Sequence, residues 1–238
     1  MKVIILSVSN YKDKDCIYNA ISEEGYLSFQ AKGAQDPKGK YLWLNNPLTV
    51  ADVEFMEDGR YKHKLLKAAM LKQTAVSGGE SLEYLFSVSA LAELSRNVLP
   101  DEEKHLEFNL LLAALKALKA KKDHYMVILT YMAKLVELSG TKLEVDKCVF
   151  CGSTHHIVTF SFEDGGFVCT NCFNSEMGRD LKKEHMKLIR CIFKAKNFDY
   201  IDVGLFSVDV QKLVLKKLTE FIDSFVGVTL KTLEPLLK

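Results

Sequence analysis

Four cysteines carry the clearest chemical signal in this 238-residue chain: Cys148-Val149-Phe150-Cys151, a gap of seventeen residues, then Cys169-Thr170-Asn171-Cys172. Two C-x2-C pairs at this separation have the spacing of a tetrahedral zinc site, because a two-residue gap lets a tight knuckle aim both thiolates at one ion. Between the pairs, residues 157–162 and 167–169 flank Glu163-Asp164-Gly165-Gly166. That pattern predicts a strand, a turn and a strand that return the second knuckle to the first. Four sulfurs fill all four positions and leave none for an activated water, so the zinc expected here is structural. A redox dithiol would want a βαβ context that is missing. A zinc deaminase would want His-x-Glu and Pro-Cys-x-x-Cys, whereas Val168 precedes Cys169. His155 and His156 stand as alternative ligands, while Cys16 and Cys191 lie in apolar segments and read as ordinary buried thiols.

Phosphate and base recognition is the second candidate chemistry. Lys32, Lys38 and Lys40 precede Tyr41 and Trp43, and residues 59–79 hold Arg60, Lys62, His63, Lys64, Lys67 and Lys72 without one acid. Cations interleaved with aromatics suit single-stranded nucleic acid, where ammonium groups meet phosphates and rings stack on bases. Trp43 serves equally well as a packing residue of a barrel or loop. A second basic run, Arg179, Lys182, Lys183, Lys187, Arg190, Lys194 and Lys196, reads either as a contact face or as a solvated helix surface. Neither a phosphate-cradling Gly-x-x-x-x-Gly-Lys nor a Gly-x-Ser-x-Gly elbow occurs, and pairs such as Asp13/Asp15 and Glu102/Glu103 fall where turn and helix-start chemistry explains them. No enzymatic activity is expected.

The elements that must hold these residues follow from periodicity. Apolar segments at 3–8, 16–21, 26–31, 48–56 and 61–71, broken by Gly25, residues 33–39 and Asp58-Gly59, predict five strands, the last two joined by a hairpin turn over 54–60. Five short strands suit a small closed barrel, OB-like or SH3-like. After Ser77-Gly78-Gly79-Glu80 the period becomes helical. Phe108, Leu111, Leu112, Leu115 and Leu118 form one stripe behind the acidic turn Asp101-Glu102-Glu103. Further helices are expected at 81–96, 124–138, 177–193, 207–225 and 232–237. The fold class is therefore α+β: an N-terminal OB-fold β-barrel over 1–76, then an α-helical domain over 77–238 with an embedded four-cysteine zinc ribbon at 146–175.

Composition supplies the exclusions. With 48% apolar and 26% charged residues the chain is no disordered segment, and 32 Lys plus Arg against 31 Asp plus Glu rule out a globally basic binder. No run approaches the roughly 18 apolar residues of a membrane span, and the apolar start ends too early for a signal peptide, so a cytoplasmic protein without membrane contact is expected. Thiols kept as C-x2-C pairs agree with a reducing compartment.

The order of barrel, helices, embedded cysteine module and terminal helices resembles the RecO family of bacterial DNA repair and recombination mediators. The stretches that carry the resemblance are 11–15 (Tyr-Lys-Asp-Lys-Asp), 22–34 (Ser-Glu-Glu-Gly-Tyr-Leu-Ser-Phe-Gln-Ala-Lys-Gly-Ala) and the quartet Cys148, Cys151, Cys169 and Cys172. One departure is Lys231-Thr232-Leu233, where the family often shows a Lys-Ser-Arg-like turn. The resemblance implies an OB-fold that binds single- and double-stranded DNA, strand annealing, docking onto the acidic-hydrophobic tail of the single-stranded-DNA-binding protein, partnership with RecR in loading RecA, and a nucleoid-associated location. The DNA-binding residues expected on these grounds are Lys12, Lys14, Lys32, Lys38, Lys40, Trp43, Arg60 and Lys62. The alternatives are a protein-interaction scaffold, or a zinc-ribbon RNA-binding or transcription factor with incidental DNA contact.

Overall fold

The structure, a computed structural model, describes residues 1–56, 64–177, 180–201, 204–227 and 229–237. Arg60, Lys62, Arg179 and most of the turn expected over 54–60 lie outside the described residues.

Five strands close into a barrel: β1 (Lys2–Tyr11), β2 (Asp15–Ser22), β3 (Gly25–Ala31), β4 (Val50–Phe55) and β5 (Lys64–Gln73), in the order β1-β2-β3-β5-β4. β4 pairs back onto β1, and only β3 and β5 run parallel. The unbroken run Val3-Ile4-Ile5-Leu6 has a physical reason. Val3 and Ile5 enter the barrel interior with Tyr18, Phe29 and Val53, while Ile4 and Leu6 face the helical core. A strand covered on both faces loses the polar alternation of a half-exposed one. Inside the barrel the Tyr18 and Phe29 rings stack at 5.2 Å.

The helical body contains α1 (Leu82–Asn97), α2 (Lys104–Lys119), α3 (His124–Leu138), α4 (Lys183–Lys194), α5 (Val208–Val226) and a last turn, α6 (Glu234–Leu237). Side-chain caps set two of the starts: Ser81 Oγ accepts from Tyr84 N at 3.2 Å, and Asp123 Oδ1 from Met126 N at 3.1 Å. Asp101–Glu103 forms a separate 3-10 turn after Pro100 and is not the first turn of α2. The helix expected from residue 177 begins only at Lys183. There His185 Nδ1 accepts the backbone N–H of Lys182 at 2.9 Å and fixes the N-terminus. Among the described residues no helix is long and apolar enough to cross a membrane.

Two charges are buried between α1, α2 and α3. Lys104 is 1% exposed, and its ammonium donates to the carbonyls of Leu99 (2.9 Å) and Arg96 (3.3 Å) as well as Ser95, satisfying the C-terminal end of α1. Glu107 is fully buried; Tyr131 Oη donates to it, and burial pushes its carboxyl pKa up.

Between α3 and α4 lies a second, three-stranded sheet of β6 (Glu144–Cys148), β7 (Ile157–Ser161) and β8 (Gly166–Cys169), in the order β6-β8-β7. The two strands expected from the sequence are β7 and β8. The third, β6, pairs parallel to β8, and its polar sequence Glu-Val-Asp-Lys-Cys hides it from a periodicity argument. Gly166 permits that pairing, since a Cβ there would stand 2.7 Å from Glu144 O. Phe160 and Phe167 meet edge-to-face at 5.4 Å and anchor the sheet in the helical core.

Candidate nucleic-acid interface and metal centre

β1 ends at Tyr11, β2 starts at Asp15 and β3 ends at Ala31. Register partners Tyr11↔Asp15 and Cys16↔Ala31 put these ends side by side. The turn at 12–14 and the long connection at 32–49 therefore share one end of the barrel, and with them Lys12, Lys14, Lys32, Lys38, Lys40 and Trp43.

Asp15 organises that end. Its carboxylate accepts from Gln30 Nε2 at 2.7 Å and from the backbone N–H of Gly33 at 3.0 Å, and its carbonyl accepts from Gln35 Nε2 at 3.0 Å. Asn45 ties the other end of the connection down, accepting from Tyr18 Oη at 2.5 Å and donating to Ala34 O at 3.0 Å. Gly39 has to be glycine, because a Cβ would lie 2.7 Å from Gly33 O. Burial pushes the Tyr18 hydroxyl pKa up, so it stays a proton donor to Asn45. In sequence Asp15 is only a turn acid, though its place directly after a basic turn is a signal, and nothing local marks Asn45.

The lysines differ in what they already hold. Lys14 pairs with Asp36 at 3.0 Å, and the backbone N–H of Lys38, followed by Lys14, keeps the Asp36 carboxyl below the usual carboxylate range. Lys12 and Lys40 lie over the rings of Tyr11 and Tyr41, each at 5.3 Å. Lys12, Lys32, Lys38 and Lys40 are exposed. Trp43 is half-buried, packs against the barrel core and donates Nε1–H to Lys40 O at 2.9 Å. The acid-free stretch after residue 59 is less positive in space than in sequence, because β4 supplies the acids: Lys67 pairs with Glu54 at 3.5 Å and Lys72 with Asp52 at 2.8 Å.

In the second sheet the four cysteine sulfurs all lie within 4.8 Å of one another, with Cys151 and Cys169 at 3.6 Å. A tetrahedron with metal–sulfur bonds of about 2.3 Å has edges of about 3.8 Å, so the quartet fits a single ion. Disulfide bonding would need about 2.05 Å, and all six cysteines are free. The knuckles come from local hydrogen bonds: Gly152 N donates to Cys148 O at 2.9 Å, and Cys172 N and Phe173 N donate to Cys169 O at 3.1 and 3.0 Å. Without an ion the thiols titrate as one cluster. Burial would raise Cys148, yet the backbone N–H groups around it, those of Cys151, Cys169 and Phe150, hold it down at about 6. Cys172, hydrogen-bonded first to Cys151, is pushed up to about 12. Four anions cannot coexist at this spacing unless a cation sits among them. His155 and His156 are exposed and lie outside the quartet. Cys16 is buried, but Cys191 is only half-buried, contrary to the buried thiol expected.

The second basic run has a structural use. Arg190 pairs with Asp146 of β6 at 2.8 Å, and Lys194 joins the same carboxylate, tying α4 to the thiol sheet. Lys231-Thr232-Leu233 forms a 3-10 turn in which Thr232 N and Oγ1 both donate to Glu93 at 2.8 and 2.6 Å.

Known proteins resemble this chain along nearly its whole length. A DNA repair protein RecO of Shouchella clausii is 26% identical over 238 residues, covering 96% of this chain and 90% of its own. The DNA repair protein RecO of Clostridium perfringens is 30% identical over 176 residues, 71% and 70% of the two chains, and that of a Thermoanaerobacter strain is 27% identical over 84% and 82%. A family model described as the C terminal of recombination protein O matches residues 79–234, more than half of the chain and all of the helical body through α5 with its thiol sheet, and on that match the chain belongs to the RecO family.

Proposed function

We propose that this protein is a DNA repair and recombination mediator that works by binding alone, holding single- and double-stranded DNA at the basic end of the barrel and annealing complementary strands. The observation that carries the reading is the gathering of Lys12, Lys32, Lys38 and Lys40 on two adjoining connections at one barrel end. The strand order β1-β2-β3-β5-β4, closed through β1 and β4, supports an OB-fold over 1–76. Arg60 and Lys62 belong to the same reading through their position between β4 and β5 in sequence. Lysines neutralise phosphates and lower the repulsion between two strands, and base pairing then drives duplex formation without a catalytic residue. The accessible part of Trp43 offers a stacking edge, while its packed part holds the connection in place.

The fit of Cys148, Cys151, Cys169 and Cys172 supports a structural Zn2+ in a ribbon over 146–175: the ion would cancel thiolate charge and pin both knuckles, with no position left for a reacting water. Relatives named DNA repair proteins support a repair role. In this reading the protein docks the acidic-hydrophobic tail of the single-stranded-DNA-binding protein, acts with RecR in loading RecA, and is cytoplasmic and nucleoid-associated.

Replacing Lys32, Lys38 and Lys40 by Glu tests the reading. Annealing and the salt dependence of single-strand binding should be lost while tail binding persists. Annealing at the wild-type rate would favour the second reading, an interaction scaffold, for which the neutralised Lys14, Lys67 and Lys72 speak. Far tighter binding to RNA than to DNA would point to the RNA-binding alternative.

A further inference from the structure

On one side of α4, His185, Leu188, Ile189, Ile192 and Phe193 are buried. On the other, Lys183, Lys187, Arg190 and Lys194 recur at i, i+4, i+7 and i+11, all of them exposed. At about 100° and 1.5 Å per residue, these four cations fall within an arc of about 60° and extend over about 16 Å. A helix face that meets only water mixes both signs. α5 does so at matching positions, with Asp209, Lys212, Lys216 and Glu220. Along the α4 stripe every neighbour at i+3 or i+4 is cation beside cation, an arrangement that destabilises a helix. Lys183, with Lys182 before it, also sets positive charge at the N-terminal turn, against the helix dipole. Glu184 is the acid of that turn and lies about 60° outside the stripe.

Fastening α4 to the thiol sheet accounts for half of this stripe. Arg190 at 2.8 Å and Lys194 share the single carboxylate of Asp146, whereas Lys183 and Lys187 make no ion pair with any described residue. What remains is a surface for a polyanion that needs no apolar anchor. None of the large hydrophobic side chains exposed among the described residues belongs to α4, so an acidic-hydrophobic peptide would find charge without a pocket. The cleft beside the C-terminal end of α4 is lined by Glu137, Glu144 and Asp146, which repel such a peptide. No aromatic ring stands in the stripe, so the bases of a single strand gain no stacking platform. A duplex needs neither pocket nor ring. It presents a phosphate about every 3.4 Å of axis on each strand, so about five phosphates of one strand can face the stripe.

We infer that the exposed face of α4 is a second nucleic-acid site, which grips the phosphate backbone of a DNA duplex apart from the lysine connections of the barrel. β1 meets α1, and β2 and β3 meet α2, whereas α4 packs against α3, α5, β6 and β7. The inference rests on the DNA-binding reading above for its polyanion, and goes beyond it in giving the duplex a place and residues of its own. A protein that anneals strands would thus hold its product away from the single strand still to be paired.

The experiment measures fluorescence anisotropy of a labelled DNA duplex, and of one of its strands alone, over a salt series. Lys183→Gln/Lys187→Gln removes a like-charge pair from an exposed face, so it should melt no lower than wild type. It should bind the duplex about tenfold more weakly, lose about 1.8 from the log–log salt slope at about 0.9 per phosphate contact, and hold the single strand within about twofold of wild type. The charge-matched variant Lys116→Gln/Lys119→Gln, on exposed positions of α2, should leave the duplex slope unchanged. Duplex binding equal to wild type overturns the site. So does an equal loss in the α2 variant, which reduces the effect to net charge, or an equal loss of duplex and single strand, which removes the duplex assignment. A lower melting temperature overturns it by making the two lysines structural. Should the α4 variant lose a labelled acidic-hydrophobic peptide and keep the duplex, the face docks protein and the nucleic-acid assignment falls. The barrel is judged separately: Lys32→Glu/Lys38→Glu/Lys40→Glu should lose the single strand, and single-strand binding at the wild-type level sinks the barrel reading while the α4 result stands.

Discussion

The basic end of the barrel and the thiol sheet solve the same problem, fixing irregular chain between strands, in opposite ways. At the barrel, Asp15 and Asn45 turn inward and accept or donate the bonds that hold residues 32–49, and the lysines on that segment are left facing solvent. The residues that hold this segment and the residues proposed to bind are different residues. At the thiol sheet they are the same four, and in their ionised form they repel one another until a cation joins them. The first region can be assembled by the chain alone. The second, with its thiols ionised, cannot.

The largest effect that follows concerns the thiols. Metal binding supplies about 10–16 kcal/mol to isolated zinc-finger peptides, but here Phe160 and Phe167 already anchor the sheet, so a smaller share would rest on a bound ion. Chelation or Cys148→Ser should cost about 3 kcal/mol, a melting temperature lower by about 6–12 °C in a chain of this size. Amide exchange should rise over residues 144–172 and stay unchanged in the barrel. Unchanged exchange over 144–172 would remove the ion from the account. The matching change at the barrel is Asp15→Ala, which strands the Gln30 amide and the Gly33 N–H at about 1–3 kcal/mol. Its sign on binding is the sharper part: deleting an acid from a basic surface should strengthen phosphate binding by charge alone, whereas loss of the scaffold should weaken it. We expect weaker single-strand affinity in filter binding, and stronger affinity would break the separation between holding and binding residues.

A finer version compares two lysines on the same surface. Lys38 makes no ion pair with a described residue, while Lys14 is spent on Asp36. Lys38→Gln should reduce the salt slope of single-strand binding by about 0.7 and Lys14→Gln by far less. Equal slopes would mean that Asp36 releases Lys14 when phosphate arrives.

What was legible in the sequence tracks this contrast. The quartet was readable because spacing alone encodes a knuckle, and the five strands because β1 to β5 alternate or run apolar as a barrel wall demands. Three kinds of feature stayed hidden. β6 has no apolar period and exists through pairing with β8, so nothing local announces it. Lys104 and Glu107 look like solvated helix positions, but the end of α1 and the hydroxyl of Tyr131 supply partners from elsewhere in the chain. Residues 64–72 look more positive in sequence than they are in space, because their acids, Asp52 and Glu54, sit on the neighbouring strand. Local pattern reports a residue's own tendency; charge balance and burial depend on who is opposite.

The smallest predicted effect turns on two aspartates, the half-exposed Asp36 and the exposed Asp146, one in each region. The Lys194 bond, followed by Arg190, holds Asp146 below the ordinary aspartate pKa near 4, and the Lys38 backbone N–H, followed by Lys14, does the same for Asp36. A carboxyl whose folded pKa is depressed binds fewer protons folded than unfolded, so its contribution is present above the unfolded value and is lost as pH falls through the folded one. Asp146→Asn and Asp36→Asn should each flatten the acid limb of the stability curve slightly, without effect on its shape above pH 5. Their response to chelation should differ. With metal bound, the thiols hold β6 and Asp146→Asn is nearly silent at pH 7; once the metal is removed, the tie from Asp146 to α4 is a main restraint left on that strand, and the same substitution should lower the melting temperature further. Asp36→Asn should be indifferent to chelation. If both variants respond alike, the two regions are not held independently, and the distinction between a chain-built and an ion-built site fails.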